Sequence, residues 1–226
     1  MLKYLINLLF PKLCLGCNAL LLNNEKIICS ECNHNLPITN HHFLEHNDTT
    51  KKFYGIIPIE FSASMLYFHH KGIVQNLIHN LKYKNHQEVG SLLGKWYAKD
   101  LETVSQIQTV SEIIPVPLHK KRLEERGYNQ VTTFCEALSN ELKIPYNPDL
   151  LYRSRYSKTQ TKKDKENRKD IANSLFDVNF TEADHNKHFL LVDDVMTSGA
   201  TLESCAKALL KIPNSKVSVV TIAYTL

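Results

Sequence analysis

One segment near the C-terminus constrains the fold more than any other, the stretch FLLVDDVMTSGAT from Phe189 to Thr201. Its first half is a continuous apolar run, which is the pattern of a central strand covered on both faces. Two carboxylates and a loop of small residues follow, and the loop leads directly into the helical pattern TLESCAKALL. A strand, loop and helix in this order predict an open α/β sheet with a ligand at the carboxyl end of the strand.

The loop in this segment has the chemistry of a phosphate site. Small residues at a helix start offer backbone N–H groups, hydroxyls and the positive end of the helix dipole. Two adjacent carboxylates would repel a phosphate unless they face a metal ion or neutral hydroxyls, and the vicinal hydroxyls of ribose suit that role. We therefore interpret the segment as a ribose 5-phosphate site rather than a capped tight turn. The predicted ligands are Asp193 and Asp194 for the ribose, and Thr197, Ser198, Gly199, Ala200 and Thr201 for the phosphate.

The rest of the chain fits an α/β protein. With 226 residues and a hydrophobic fraction of 43%, the chain can bury a sizeable core. From Tyr54 onward, short apolar runs alternate with segments of helical periodicity, which predicts a mainly parallel sheet flanked by helices. The predicted helices are 71–82, 86–104, 128–142 and 200–211, and the clearest predicted strands are 112–116, 188–193 and 216–224, with a strand pair or single strand over 56–68.

Basic residues crowd into two stretches. The first, IIPVPLHKKRLEERGYNQ, runs from Ile113 to Gln130 and follows a short predicted strand. The second covers 153–176 and includes Tyr156. The first stretch fits a solvated basic loop followed by an Asn-capped helix. The second fits a solvated loop, a mobile cover that closes over a substrate, or a phosphate-binding patch for single-stranded nucleic acid. The sequence leaves these three interpretations of the second stretch open.

Four of the six cysteines lie close together, as Cys14-x-x-Cys17 and Cys29-x-x-Cys32. Paired C-x-x-C turns place four thiolates around zinc. Disulfides are the alternative. We expect a cytoplasmic protein, because the N-terminus has no small-residue cleavage site, and a reducing compartment disfavours disulfides. Cys135 and Cys205 fall inside helical patterns and are predicted to be small core residues.

The motifs together resemble a known family. The segment 189–201 resembles the binding pattern of type I phosphoribosyltransferases, which bind phosphoribosyl pyrophosphate with magnesium. The order P-V-P-L, R-G-Y-N-Q, a basic segment with Arg155 and Gln160, and V-D-D-V-x-T-S-G-A-T resembles the ComF family. Leu81-Lys82-Tyr83 and the four N-terminal cysteines match that family too. The resemblance implies the type I phosphoribosyltransferase fold with a small zinc module. It also implies a pyrophosphate and basic group made of Pro117, Leu118, His119, Arg122, Arg126, Asn129, Gln130 and Arg155.

These observations lead to one functional hypothesis and one alternative. We expect residues 1–52 to form an N-terminal helix, zinc module and connector, and residues 53–226 to form a phosphoribosyltransferase-like domain. The resemblance implies binding of phosphoribosyl pyrophosphate and magnesium, and a part in handling single-stranded DNA with the DNA-uptake machinery during competence. The alternative is an active phosphoribosyltransferase with an unidentified nitrogenous acceptor. No apolar run is long enough to span a membrane, while residues 1–10 could pack on the next domain or lie on a membrane surface.

Overall fold

The computed structural model describes residues 11–154 and 175–226. At its centre is a parallel sheet of four strands in the order β1-β6-β5-β2. A separate pair, β3 and β4, is antiparallel. The strands are β1 Phe61–Phe68, β2 Glu112–Pro115, β3 Leu151–Arg153, β4 Phe176–Val178, β5 His188–Met196 and β6 Lys216–Thr225.

Helices cover both faces of the sheet. The α-helices are α1 Ser30–His34, α2 Asp48–Lys51, α3 Ile73–Tyr83, α4 Glu88–Leu101, α5 Ser105–Gln108, α6 Lys120–Arg126, α7 Thr132–Leu142 and α8 Ala200–Leu209. Two turns of 3-10 helix lie at His41–Phe43 and Glu182–Asp184. Among the helices in the described residues, none is long and apolar enough to cross a bilayer.

Strand β5 is the central buried strand that the sequence predicts. Leu190 and Val192 pack in the core formed with α3, α4 and α7, whereas Phe189 and Leu191 pack in the core on the α8 side. All four side chains are fully buried. The expected α/β fold, a parallel sheet flanked by helices, is therefore confirmed, and the alternation of side chains along β5 determines where its polar residues point.

Two glycines let helices α4 and α7 pack closely. A methyl group at Gly94 would lie 2.7 Å from the Cβ atom of Ala137 and 2.7 Å from the carbonyl oxygen of Phe134. A methyl group at Gly90 would overlap the hydroxyl of Thr133. The two glycines are thus spaced one helical turn apart on the face of α4 that meets α7, where a side chain would force the helices apart.

The structure changes several predicted boundaries. Strand β5 continues through both aspartates to Met196, because its pairing with β6 extends to Tyr224. A helix, α6, occupies part of the basic stretch that we interpreted as a loop; it ends at Gly127, whose φ is +76°. The segment 56–68 contains the single strand β1. Helices α3 and α4 confirm the predicted helices at 71–82 and 86–104 to within a few residues.

Residues 36–52 lie along the outer side of β1. Thr39 donates from its backbone N–H to the carbonyl oxygen of Met65, at 3.0 Å. The side-chain amide of Asn47 donates to the carbonyl oxygen of Ser62 at 2.7 Å, and its Oδ1 accepts from two backbone N–H groups at the start of α2. This segment is therefore held against the edge of the main sheet. The proposed division of the chain at residue 52 stays a prediction.

Candidate functional site

The two aspartates at the end of β5 point to opposite faces of the sheet. Asp194 follows the register of Val192 and faces α3, where its Oδ2 atom lies 2.9 Å from Nζ of Lys82. Asp194 is buried, with 5% of its surface exposed. Asp193 lies on the α8 face, and its Oδ1 accepts a hydrogen bond from the backbone N–H of Asp194 at 2.8 Å. Of the two adjacent carboxylates, therefore, only that of Asp194 is paired with Lys82 among the described residues.

The environment of Asp193 disfavours its charge. Burial, and next the neighbouring Asp194 carboxylate, raise the pKa of Asp193 to about 8. The backbone hydrogen bond from Asp194 and the charge of Lys82 act in the opposite direction but are smaller effects. A carboxylate in such a place gains from neutral hydroxyl donors or from an added cation. This arrangement is suited to ribose hydroxyls accompanied by a divalent cation.

The loop after β5 forms a small cradle. Its residues Thr197 and Ser198 are exposed, while Gly199 is buried and has a φ of +82°, a conformation that favours glycine. Gly199 is also the N-cap of α8 and offers no side chain to its first N–H groups. A cavity of about 40 Å³ lies here, with room for a group not much larger than a phosphate. It is lined by Asp193, Val195, Met196, Thr197, Ser198, Gly199, Ala200, Thr201 and Leu202.

Lys52 approaches this cradle from the N-terminal part of the chain. A methyl group at Gly199 would lie 3.4 Å from Cβ of Lys52. The ammonium group of Lys52 is 5.7 Å from the ring centroid of Tyr224, and within the described residues it forms no ion pair. The sequence gives no indication that Lys52 lies near this loop, because the contact depends on long-range packing that a local motif does not predict.

The residues predicted for pyrophosphate are divided between the two sides of α6. Arg122 and Arg126 line one cavity of about 600 Å³. Arg126 donates from Nη1 to Oε1 of Gln130 at 2.6 Å, and its guanidinium lies 5.0 Å from the ring centroid of Tyr83. Tyr128 donates from its hydroxyl to the carbonyl oxygen of Leu81 at 2.5 Å. Through its hydrogen bond, Gln130 therefore orients the guanidinium of Arg126.

The remaining residues of that group lie around the loop after β2. Pro117, Leu118 and His119 line a different cavity, of about 640 Å³, together with residues of β3. Asn129 donates to the carbonyl oxygen of Val116 at 2.9 Å and so holds this loop in place. Arg155, Tyr156 and Gln160 lie outside the described residues. The assignment of the whole group to pyrophosphate stays a prediction.

The four N-terminal cysteines come together as predicted. Their sulfur atoms all lie within 4.8 Å of one another, and Sγ of Cys17 is 3.7 Å from Sγ of Cys29. A tetrahedron with Zn–S bonds of about 2.3 Å has its sulfurs roughly 3.8 Å apart. Cys14 accepts from the backbone N–H groups of Gly16 and Cys29, at 3.3 and 3.2 Å. Although burial opposes them, these backbone donors lower the pKa of Cys14 to about 7. The group therefore fits a zinc ion.

The cysteine module rests on helix α3. Asn76 and Asn80 donate to the carbonyl oxygens of Gly16 and Leu15, at 2.7 and 2.9 Å. A methyl group at Gly16 would lie 2.9 Å from Sγ of Cys32. Helix α3 also carries Lys82, so the helix that supports the module supplies the cation beside Asp194. The L-K-Y match pointed to Lys82 in the sequence, but it did not identify Asp194 as the partner of Lys82.

Cys135 and Cys205 lie away from this module, each fully buried in the core. Cys135 is in α7 and Cys205 is in α8, on opposite faces of the sheet. Burial raises the pKa of both thiols well above the usual range. The prediction that they are small core residues is confirmed.

Comparison with known proteins agrees with this geometry. The model of the phosphoribosyl transferase domain matches residues 132–225, which run from α7 to the end of β6. The chain is 29% identical over 153 residues to the DNA utilization protein YhgH of Shigella flexneri, covering 66% of this chain and 66% of that protein. It is also 29% identical over 147 residues to competence protein F of Haemophilus influenzae, covering 63% and 64%.

A third relative matches a shorter part of the chain. The chain is 32% identical over 99 residues to competence protein ComFC of Bacillus subtilis strain 168, covering 44% of this chain and 38% of that protein. The chain thus aligns with less than two thirds of the length of these relatives. The predicted resemblance to the ComF proteins is confirmed: residues 132–225 match a phosphoribosyl transferase domain, and the chain is similar to competence proteins F and ComFC.

Proposed function

We propose that this chain binds phosphoribosyl pyrophosphate together with magnesium and acts in the handling of single-stranded DNA during competence. The observation that carries the first part is the cradle after β5. A glycine with positive φ, a helix N-terminus without a side-chain cap and the Asp193 carboxylate meet around a cavity of phosphate size, and Asp194 lies next to them on the other face of β5. Backbone N–H groups at a helix start bind phosphate without a dedicated cation, and Asp193 and Asp194 supply acceptors for ribose hydroxyls.

Both implied metal ions fit the residues present. Zinc would be held by the four cysteines and would stabilise the N-terminal module. Magnesium commonly binds to substrate phosphates in sites of this kind. It would arrive with the diphosphate group of the ligand, and its charge would offset that of the two aspartates, of which only Asp194 is paired with Lys82 among the described residues. The catalytic potential of such a site lies in stabilising the charge of a leaving pyrophosphate.

The role in DNA handling rests on the relatives. They are named DNA utilization and competence proteins, and the chain carries 27 basic against 23 acidic residues with the basic ones concentrated in two stretches. We expect a cytoplasmic protein that meets the incoming strand. Association of residues 1–10 with a membrane surface stays a separate prediction and involves residues outside the described part of the chain.

Calorimetry with phosphoribosyl pyrophosphate tests the ligand. The purified protein should bind one equivalent per chain in the presence of magnesium, and more weakly when magnesium is chelated. Ribose 5-phosphate should compete, since it retains both the sugar hydroxyls and the 5-phosphate. Absence of any binding by the folded, zinc-loaded protein would refute the assignment of the cradle.

Replacing Lys52 with alanine should weaken this binding about 5- to 10-fold, because a hydrogen bond or ion pair to phosphate at a partly exposed site contributes roughly 1 kcal/mol. Lys51→Ala is the matched control. Lys51 is already paired with Asp48 at 2.9 Å and its side chain is 67% exposed. Titration of both variants under the same conditions makes the comparison. Equal affinities of the two variants would remove Lys52 from the phosphate site.

A further inference from the structure

Two cavities adjoin beside the proposed ribose-phosphate site, and we refer to them together as the groove. The first, of about 450 Å³, lies at the carboxyl ends of β1 and β5 and is lined by Asp194 and Thr197 on one side and by Phe68 and His79 on the other. The second is the cavity of about 600 Å³ that contains Arg122 and Arg126. Both cavities are lined by Lys82 and Tyr83 at the end of α3, so they adjoin at that helix end.

The far part of this groove carries surplus positive charge. Lys84, Arg122 and Arg126 line it, against one acidic residue, Glu125. Across the described ranges, none of these three cations has a carboxylate within ion-pair distance, whereas Lys82 is occupied by Asp194. Cations that have no carboxylate partner and converge on one concave surface favour a polyanion as the ligand.

An aromatic ring lies in the middle of the groove. Tyr83 is 64% exposed, although most large side chains at helix ends gain by packing inward. The guanidinium of Arg126 lies over its ring at 5.0 Å, and the ring of His79 is 5.1 Å away. A tyrosine ring beside a flat guanidinium is a surface on which an unpaired base stacks, and stacking of this kind does not depend on the identity of the base.

We propose that this groove binds single-stranded nucleic acid, with phosphates at Lys84 and Arg122 and an unpaired base on Tyr83. Single strands fit better than a duplex, because a base must leave its stack to lie on a tyrosine ring. The proposal rests on the DNA-handling part of the proposed function and places it at named residues. It also places the strand within reach of the ribose-phosphate cradle, since Lys82 and Tyr83 border both cavities.

Fluorescence anisotropy with a labelled 20-nucleotide oligothymidine tests the groove. Tyr83→Leu should weaken binding roughly 5- to 100-fold, the range for loss of one base stack, and Tyr83→Phe should retain it. Lys84→Ala should lower the slope of log K against log salt concentration by about 0.7, the value for one phosphate contact on a single strand. Lys84 is not a predicted ligand of phosphoribosyl pyrophosphate, so calorimetry with that compound checks that Lys84→Ala remains folded. The Tyr83 ring contacts Arg126, a predicted pyrophosphate ligand, so thermal unfolding checks the fold of Tyr83→Leu.

Two matched variants decide between this groove and the opposite side of α6. Tyr152→Leu removes another exposed tyrosine, and Lys120→Ala removes another cation of the same helix; both residues line the cavity around His119. These controls should bind oligothymidine as the wild type does. If they lose binding while Tyr83→Leu keeps it, the chain binds DNA elsewhere and the groove assignment is wrong. If a 20-base-pair duplex binds equally well and is unaffected by Tyr83→Leu, base stacking on Tyr83 is refuted.

The remaining outcomes separate this inference from the function on which it rests. Wild-type protein that binds phosphoribosyl pyrophosphate but no oligothymidine at low salt would refute both direct DNA binding and the assignment of the groove. The assignment of the ribose-phosphate site would be unaffected. Wild-type protein that binds oligothymidine through Tyr83 but not phosphoribosyl pyrophosphate would support the groove and refute the cradle.

Discussion

Replacing Cys32 with serine should abolish zinc binding and unfold the N-terminal module. The wild type is expected to carry about one zinc per chain, and structural zinc sites of this type have apparent binding free energies of about 10–16 kcal/mol. Serine offers no thiolate, and Cys32 is buried at 2% exposure, so the new hydroxyl would also lie in a site built for sulfur. Metal analysis and thermal unfolding of the purified proteins measure both effects.

The chain contains its own control for this experiment. Cys135→Ala and Cys205→Ala remove thiols that lie in the core, away from the module, and both variants should keep a full equivalent of zinc. They should lose only the stability that a small core cavity costs, about 1 kcal/mol. Wild-type protein purified without zinc and with the four N-terminal thiols oxidised would contradict the zinc assignment and favour disulfides.

Loss of zinc should also weaken ligand binding at the proposed ribose-phosphate site. Helix α3 receives the module through Asn76 and Asn80 and carries Lys82 less than one turn further on. When the module unfolds, these two amides lose their partners and the position of Lys82 beside Asp194 is less well held. The affinity for phosphoribosyl pyrophosphate should therefore fall in Cys32→Ser but not in Cys135→Ala.

Replacing Asp193 with asparagine and replacing Asp194 with asparagine should change the stability of the ligand-free protein in opposite directions. Asp193→Asn should stabilise the ligand-free protein by about 0.5–2 kcal/mol, as is common when a strained functional group is removed. Asp194→Asn should destabilise it by roughly 1–3 kcal/mol, because Lys82, whose side chain is 21% exposed, loses its buried partner. Both variants should bind phosphoribosyl pyrophosphate about 10- to 100-fold more weakly, as expected for loss of a charged hydrogen-bond acceptor.

The pH dependence of the stability tests whether the raised pKa of Asp193 causes the effect of Asp193→Asn. The pKa of Asp193 is raised in the folded protein to about 8 from an ordinary value of 3.8. The folded state therefore binds this proton more tightly than the unfolded state, and the wild type loses stability as the pH rises from about 4 to about 8. Asp193→Asn mimics the protonated acid and should escape this loss. The difference between the melting temperatures of the two proteins should accordingly grow between pH 5 and pH 8.

A difference in melting temperature that stays constant over this pH range would contradict the raised pKa. Asp177→Asn is a suitable comparison, since Asp177 is an acidic residue outside the site whose pKa is lowered by its hydrogen bonds to Lys211 and the backbone, which outweigh burial. Its replacement should destabilise the protein at neutral pH and have little effect once the pH falls below the lowered pKa of Asp177. In the same assay at neutral pH, Asp193→Asn should thus raise the melting temperature and Asp177→Asn should lower it.

The sequence alone determined the parts of this protein that depend on local pattern. The apolar run before Asp193 predicts a buried strand because a strand covered on both faces has no polar positions. Gly199 and the small residues around it predict a loop and helix start. The spacing of Cys14, Cys17, Cys29 and Cys32 predicts a metal site because each C-x-x-C turn holds its two sulfurs close together. All three features lie within short segments, where the backbone determines the geometry.

Only the tertiary structure decided which distant residues meet. Lys82 pairs with Asp194 across 112 positions of the chain, and Lys52 reaches Gly199 from the edge of the sheet. The helix at Lys120–Arg126 shows the same limit, since its run of charges gives no apolar periodicity and it buries no side chain. Such contacts depend on how helices pack on a sheet, and the local periodicity of the sequence does not predict that packing.

The segment from Phe189 to Thr201 illustrates both contributions. Its small residues at a helix start, next to two carboxylates, lead to the prediction of a phosphate loop, which stays a prediction. The separation of Asp193 and Asp194 onto opposite faces, with one paired to Lys82 and the other left with a raised pKa, could not be predicted from the sequence. That difference arises because β5 continues to pair with β6 beyond both acids, and a paired strand must alternate its side chains.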